Sequence, residues 1–99
     1  MATISYPPST RFPPHVDHCD NSLVCLTSLG LTSRFMVQAP GMSEKQVLEL
    51  SSGDLLVFDA SSAANILHGV EGIVEGSCPE GLCETLQKHR YGVQCRLTF

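Results

Sequence analysis

The sequence predicts an all-β domain, and three observations predict it. Short runs rich in Val, Ile, Leu, Thr and Phe alternate with clusters of Gly, Pro, Ser and Asn, which is the pattern of strands separated by turns. Helical periodicity is nearly absent. The runs recur about every ten residues, the spacing of a sandwich or barrel, and about eight of them fit an eight-stranded jelly roll with little helix. At 99 residues the chain forms a single domain. A domain of this size buries roughly 60–65% of the surface its unfolded chain exposes, enough for one modest core.

Each run has a local reason to start and stop. Ala2–Tyr6 leads into Pro7-Pro8. Arg11–Val16 contains Pro13-Pro14; proline cannot donate to a strand ladder, so this run suits a sheet edge or an irregular stretch. Leu23–Leu29 stops at Gly30, and Thr32–Gln38 stops at Ala39-Pro40-Gly41. Lys45–Leu50 sets Val47, Leu48 and Leu50 among polar neighbours, with Glu44, Lys45 and Glu49 on a solvated face. Ser51-Ser52-Gly53-Asp54 is a tight turn into Leu55–Phe58, and Asn65–His68 and Val70–Val74 follow. The segment from Glu75 to His89 breaks the β pattern, and Leu82 with Leu86 at i, i+4 permits about two helical turns. Tyr91–Phe99 is the closing strand. Strand signals thus run almost from end to end, where a domain ordinarily has frayed margins, so a trimmed core is expected.

Composition excludes several classes. The net charge is −4 with only 6 Lys+Arg, so no basic surface for nucleic acid or anionic lipid is visible, and a nucleic-acid substrate would be held poorly by this chain alone. No apolar run exceeds four residues, far short of the about 20 a membrane helix needs. No basic-then-apolar signal segment opens the chain. The 5 cysteines are odd in number and form no C-x-x-C pair, so free thiols in a reducing compartment, cytoplasmic or nuclear, are expected. Cys78 and Cys83 flank a short loop and are able to pair or bind a metal.

Three groups of residues carry candidate chemistry. In His15-Val16-Asp17, residues i and i+2 of a strand point to one face, so an imidazole and a carboxylate converge. His68 lies on a later strand and can complete a set of two histidines and one carboxylate, which leaves three coordination positions open and suits non-haem Fe(II) and O2 chemistry. The plainer alternatives are a turn aspartate and a hydrogen-bonded core histidine. Arg90 and Arg96 are an even six residues apart and face one side of the last strand. If that side is interior, they call for anionic partners such as a dicarboxylate; otherwise they lie on a solvated face. Tyr6 is placed to donate a hydrogen bond to a ligand carboxylate, or to be a half-buried core residue. His18 and Asp20 read as turn residues. Cys95, at an odd offset from both arginines, is expected on the opposite, packed side.

The order of these residues resembles a known family, the AlkB-like branch of the Fe(II)- and 2-oxoglutarate-dependent dioxygenases. The matching pieces are Tyr6, His15-Val16-Asp17, Ser28-Leu29-Gly30 with Phe35, Ser52-Gly53-Asp54-Leu55-Leu56-Val57-Phe58, His68-Gly69-Val70, and Arg90 with Arg96 in an Arg-x5-Arg spacing. They run from Tyr6 to Arg96, nearly the whole chain. The resemblance implies a double-stranded β-helix (jelly roll) core. It implies that His15, Asp17 and His68 hold Fe(II), that Arg90 pairs with the far carboxylate of the co-substrate 2-oxoglutarate, that Arg96 sits near its other carboxylate and near Asp17, and that Tyr6 hydrogen-bonds the co-substrate. The implied reaction spends O2 and 2-oxoglutarate, releases succinate and CO2, and hydroxylates an N-linked alkyl carbon, whose hemiaminal collapses to an aldehyde and the free nitrogen. Alkylated DNA or RNA is the implied substrate, in repair or modification, with modified protein as another. Ile4 and Gly92 stand where the family often has Asn, which implies weaker co-substrate binding; Cys19 replaces an acidic residue used in base recognition by some members. The family's substrate lid lies N-terminal to this region, so the resemblance implies a trimmed core or one that needs a partner chain. Two alternatives remain: a jelly-roll binding or regulatory module that keeps the fold without turnover, and a cupin-type metal protein, which would want further His or Glu ligands and no arginine pair.

Overall fold

The computed structural model describes residues 2–8, 10–17, 21–82 and 84–98. Eight strands and one short helix follow in the order β1 (Ala2–Tyr6), β2 (Phe12–His15), β3 (Ser22–Gly30), β4 (Thr32–Gln38), β5 (Gln46–Leu50), β6 (Leu55–Asp59), β7 (Leu67–Val74), α1 (Glu84–Lys88) and β8 (Arg90–Thr98). The all-β expectation holds. The strands form two antiparallel four-stranded sheets, one in the order β1-β8-β3-β6 and the other β2-β7-β4-β5.

Period-2 alternation builds the sandwich. Along β3, Ser22, Val24, Leu26, Ser28 and Gly30 are buried while the residues between them are half-exposed. Tyr6, Val24 and Leu26 of the first sheet meet Phe35, Leu50 and Val70 of the second, with Ala60 beside them. Leu56, Phe58, Val37, Leu48 and Ile73 pack against that cluster. The β3–β8 ladder is the longest, nine residue pairs from Ser22↔Thr98 to Gly30↔Arg90.

Several boundaries differ from the sequence expectation. Residues 65–68 and 70–74 do not form two runs: β7 is one strand from Leu67 to Val74, and Asn65 turns into it at φ 52°. Its ladder with β4 steps from Arg34↔Gly72 to Phe35↔Val70, leaving Glu71 as the extra residue of a bulge. The strand at Pro13-Pro14 is an edge strand, as expected, and its pairing with β7 shifts between Phe12 and His15. The helix is five residues long, about one and a half turns rather than two, and Leu82 precedes it. Cys95 is on the outer side of β8 as its parity requires, but that side is not packed: Cys95 is exposed, as are Leu97, Leu55 and Val57. Among the described residues, no helix is long and apolar enough to cross a membrane. The expected turn at His18 and Asp20, and the Cys83 half of the Cys78–Cys83 pair, lie outside the described residues; Cys78 is a free thiol.

Gly30 closes β3 at φ 85°, and a Cβ there would strike the carbonyl oxygens of His89 and Leu86. Gly41 has φ 86° with nothing within 4 Å of its would-be Cβ. Gly30→Ala is expected to cost about 3 kcal/mol or more, and Gly41→Ala only about 1–2 kcal/mol, since the second loses conformational fit alone. Urea unfolding of the two variants checks this; equal losses would contradict the close packing at Gly30.

Candidate metal centre

Three sequence-predicted residues meet at one end of the sandwich. His15 and His68 are cross-strand partners of β2 and β7, with ring centroids 4.4 Å apart. Asp17 lies two residues past His15, beyond the end of β2. Its Oδ1 stands 3.3 Å from His15 Nε2 and 3.5 Å from His68 Nε2. One ligand atom from each of the three lies within 4.8 Å of the others, a group that can hold a metal ion. The pleat of a strand does not create this convergence, because Asp17 is not on a strand. Arg96 does: its Nη2 donates to Asp17 Oδ2 at 2.6 Å, and its Nη1 donates to Ser22 Oγ at 3.1 Å.

The histidine tautomers follow from their partners. His15 Nδ1 lies 3.1 Å from the Pro13 carbonyl oxygen, and His68 Nδ1 lies 3.0 Å from that of Ile66. A carbonyl oxygen only accepts, so each Nδ1 carries a proton, and in the neutral ring the lone pair is then on Nε2, facing Asp17. Both rings use the carbonyl two residues upstream. The two Nε2 lone pairs and Asp17 Oδ1 are three acceptors facing one point, an arrangement that a cation satisfies. Phe58 and Phe35 flank His68, with centroids at 4.8 Å and 6.2 Å, and Phe12 meets His15 edge-on at 4.8 Å.

Burial pushes the His68 pKa down, opposed by its hydrogen bond to Ile66, so the ring stays neutral and ready to ligate. Burial alone would raise the Asp17 pKa, but the Arg96 hydrogen bond and the charges of His68, Arg96 and His15 outweigh it and hold the carboxyl below its ordinary value.

The other end of the same cavity is cationic. The cavity spans about 120 Å³ between the sheets, and its lining includes Tyr6, His15, Asp17, His68, Arg90 and Arg96. The even spacing of the arginines therefore did place both inside. Arg90 is 1% exposed. Its Nε donates to Ser28 Oγ at 3.0 Å, and its guanidinium carbon lies 5.0 Å from the centre of the Tyr6 ring. Burial pushes its pKa down against the opposing effect of Tyr6, whose own phenol is raised by burial. Among the described residues no carboxylate pairs with Arg90, and its buried Nη2 has no hydrogen-bond partner. Tyr6 is a buried residue of the cavity wall. Gly92 leaves room for the guanidinium, because a Cβ there would come within 2.7 Å of Arg90 Nη1.

Ser22 and the phenylalanines around His68 are site residues that the sequence reading missed. Ser22 and Ser28 share the inward parity of Val24 and Leu26; small polar residues at core parity were the available signal. Comparison with known proteins finds no matching family model and no matching curated protein.

The pKa directions set an expected acid response. The Asp17 pKa is lower folded than unfolded, so its stabilisation is complete above about pH 4 and is lost as pH falls through the folded value. His68 stays neutral in the fold while the unfolded imidazole takes a proton below about pH 6.5, so it too makes stability fall in acid. Metal-free Asp17→Asn is expected to lose stability less steeply than the parent chain below about pH 4. His68→Gln is expected to flatten the fall that begins near pH 6.5. Urea midpoints measured across that range check both, and parallel curves would contradict them.

Proposed function

We propose that this chain is an AlkB-like, Fe(II)- and 2-oxoglutarate-dependent dioxygenase core that carries out oxidative N-dealkylation, with alkylated nucleic acid as its substrate. One observation carries the reading: a two-histidine, one-carboxylate acceptor set and a buried guanidinium with an unsatisfied Nη2 share one cavity. Strand orders β1-β8-β3-β6 and β2-β7-β4-β5 support a jelly roll, with the metal residues at one end of β2 and β7.

The donor set fits the implied ion. Two imidazoles and one carboxylate on one side, with the remaining positions open, suit non-haem Fe(II). His15, Asp17 and His68 would hold it, and Fe(II) there supplies activation of O2 at the expense of the keto acid. The chain's own residues do the rest. Arg96 occupies Asp17 Oδ2 and so leaves Oδ1 to ligate. The carbonyls of Pro13 and Ile66 fix both imidazole tautomers.

The co-substrate fits as well. Arg90 Nη2 lacks an anion, and a carboxylate on the far end of a dicarboxylate supplies one in the buried geometry where such pairing is strongest. Tyr6 flanks that guanidinium. On the scale where a water fills about 10–15 Å³, a cavity of about 120 Å³ takes roughly ten non-hydrogen atoms, the size of a five-carbon keto diacid. Val24, Leu26, Phe35 and Phe58 give the same cavity an apolar wall. The net charge of −4 implies weak contact with a nucleic acid through few phosphates, with a shallow salt dependence, rather than a broad basic groove.

Anaerobic titration with Fe(II) and then 2-oxoglutarate is expected to give the visible charge-transfer band of a chelated keto acid. His15→Ala should abolish the band, and Arg90→Ala should raise the 2-oxoglutarate needed by about tenfold or more, since it removes a charge-assisted pair. A folded chain that binds Fe(II) but shows no band would overturn the dioxygenase reading and leave a binding module.

A further inference from the structure

Cys25 of β3 and Cys95 of β8 are directly opposite one another in the longest ladder. Their chain neighbours Val24, Leu26, Gln94 and Arg96 all line the interior cavity, so both thiols leave the outer face of the sheet. Both are free; Cys95 is exposed and Cys25 half-buried.

The hydrogen bonding shows which kind of pair they form. One step beyond Gly30↔Arg90 in the same register, the Leu31 amide donates to the His89 carbonyl at 3.1 Å. On the other side of β3, the Ser28 amide donates to Asp54 at 3.1 Å, and the Ala60 amide donates to Ser22 at 3.0 Å. Odd-numbered residues of β3 therefore bond to β8 and even-numbered ones to β6. Cys25–Cys95 is a hydrogen-bonded pair. The Cβ atoms of such pairs stand at the wide end of the roughly 4.5–5.5 Å range, beyond the roughly 3.5–4.5 Å that a disulfide requires. The spacing favours one atom held between the sulfurs over a bond between them.

We propose that Cys25 and Cys95 form a two-thiolate site for a soft monovalent cation, Cu(I), on the outer face of the β1-β8-β3-β6 sheet. The neighbours decide the ion. By register and parity, Leu23, Thr27, Val57, Val93 and Leu97 surround the pair; Asp59, opposite Leu23, stands a diagonal step from Cys25, but its Oδ1 accepts from the Ser61 amide and a carboxylate is a hard ligand that does not suit a soft cation. Zinc closes its structural sites with four nitrogen, sulfur or carboxylate ligands. Two thiolates alone match a soft cation content with two. Binding one Cu(I) releases both thiol protons and leaves a dithiolate complex of charge −1, with no change of oxidation state. The site is independent of the His15–Asp17–His68 centre and of the function proposed for it.

The test uses the full chain carrying Cys19→Ser, Cys78→Ser and Cys83→Ser, so that only Cys25 and Cys95 remain. Anaerobic titration with Cu(I) against a chromophoric Cu(I) chelator is expected to show one equivalent bound, with ultraviolet thiolate-to-copper absorption. Adding Cys95→Ser, an exposed change that leaves the core intact, should weaken binding by more than the roughly 10–100-fold that loss of a ligand's supporting partner costs. Adding His68→Ala should leave binding unchanged. As a second measurement, phenylarsine oxide condenses with two neighbouring thiols and loses water, so one arsenical per chain is expected by mass and none after Cys95→Ser. Binding that survives Cys95→Ser, binding that follows His68 instead, no arsenical uptake, or ready closure of a Cys25–Cys95 disulfide would each overturn the proposal.

Discussion

Two guanidinium groups inside a small sandwich are the constraint on which the rest of the site depends. A buried charge without partners costs several kcal/mol, and removing one partner of a buried pair costs about 3–5 kcal/mol. Arg96 meets this by reaching from β8 to Asp17 and Ser22. Because Asp17 follows β2 of the opposite sheet, the contact ties the two sheets together and fixes the carboxylate beside the histidines. Arg90 meets it only in part. Ser28 and Tyr6 take one side of the group, and one buried Nη2 stays unsatisfied. The fold thus carries an electrostatic debt at one end of its cavity and a surplus of lone pairs at the other.

The surplus has its own construction. Each histidine is held by the carbonyl two residues before it, and in the neutral ring that bond places the lone pair on Nε2, facing Asp17. Pre-organising acceptors in this way destabilises the empty site and stabilises the occupied one, so ion binding adds directly to folding free energy. Aromatic rings around His68 reinforce the effect by keeping the ring neutral.

The outer surface of the first sheet follows a different logic. On β6, Leu56 and Phe58 turn inward while Leu55 and Val57 stay exposed, so this edge strand is apolar on both faces. Such a pattern belongs to strands covered on both sides. Leu97 and the facing Cys25–Cys95 pair lie on the same surface.

Local chemistry made much of this legible. Strands and turns follow from period-2 alternation and from the conformational limits of Pro and Gly, which act within a few residues. The same parity rule placed Arg90 and Arg96 on one inward face and Cys95 on the other. It failed where the outcome depended on distant partners. The break expected between His68 and Val70 vanished because β4 pairs along the whole of β7 and a bulge absorbs Glu71. Cys95 was expected to be packed, but parity says which face a side chain takes and not what covers that face. The sequence by itself determined which residues can ligate, pair and turn, because those are properties of side chains and of short chain segments. Only the tertiary structure decided that Asp17 meets His15 and His68, because the arginine that holds it comes from 79 residues along the chain and from the other sheet.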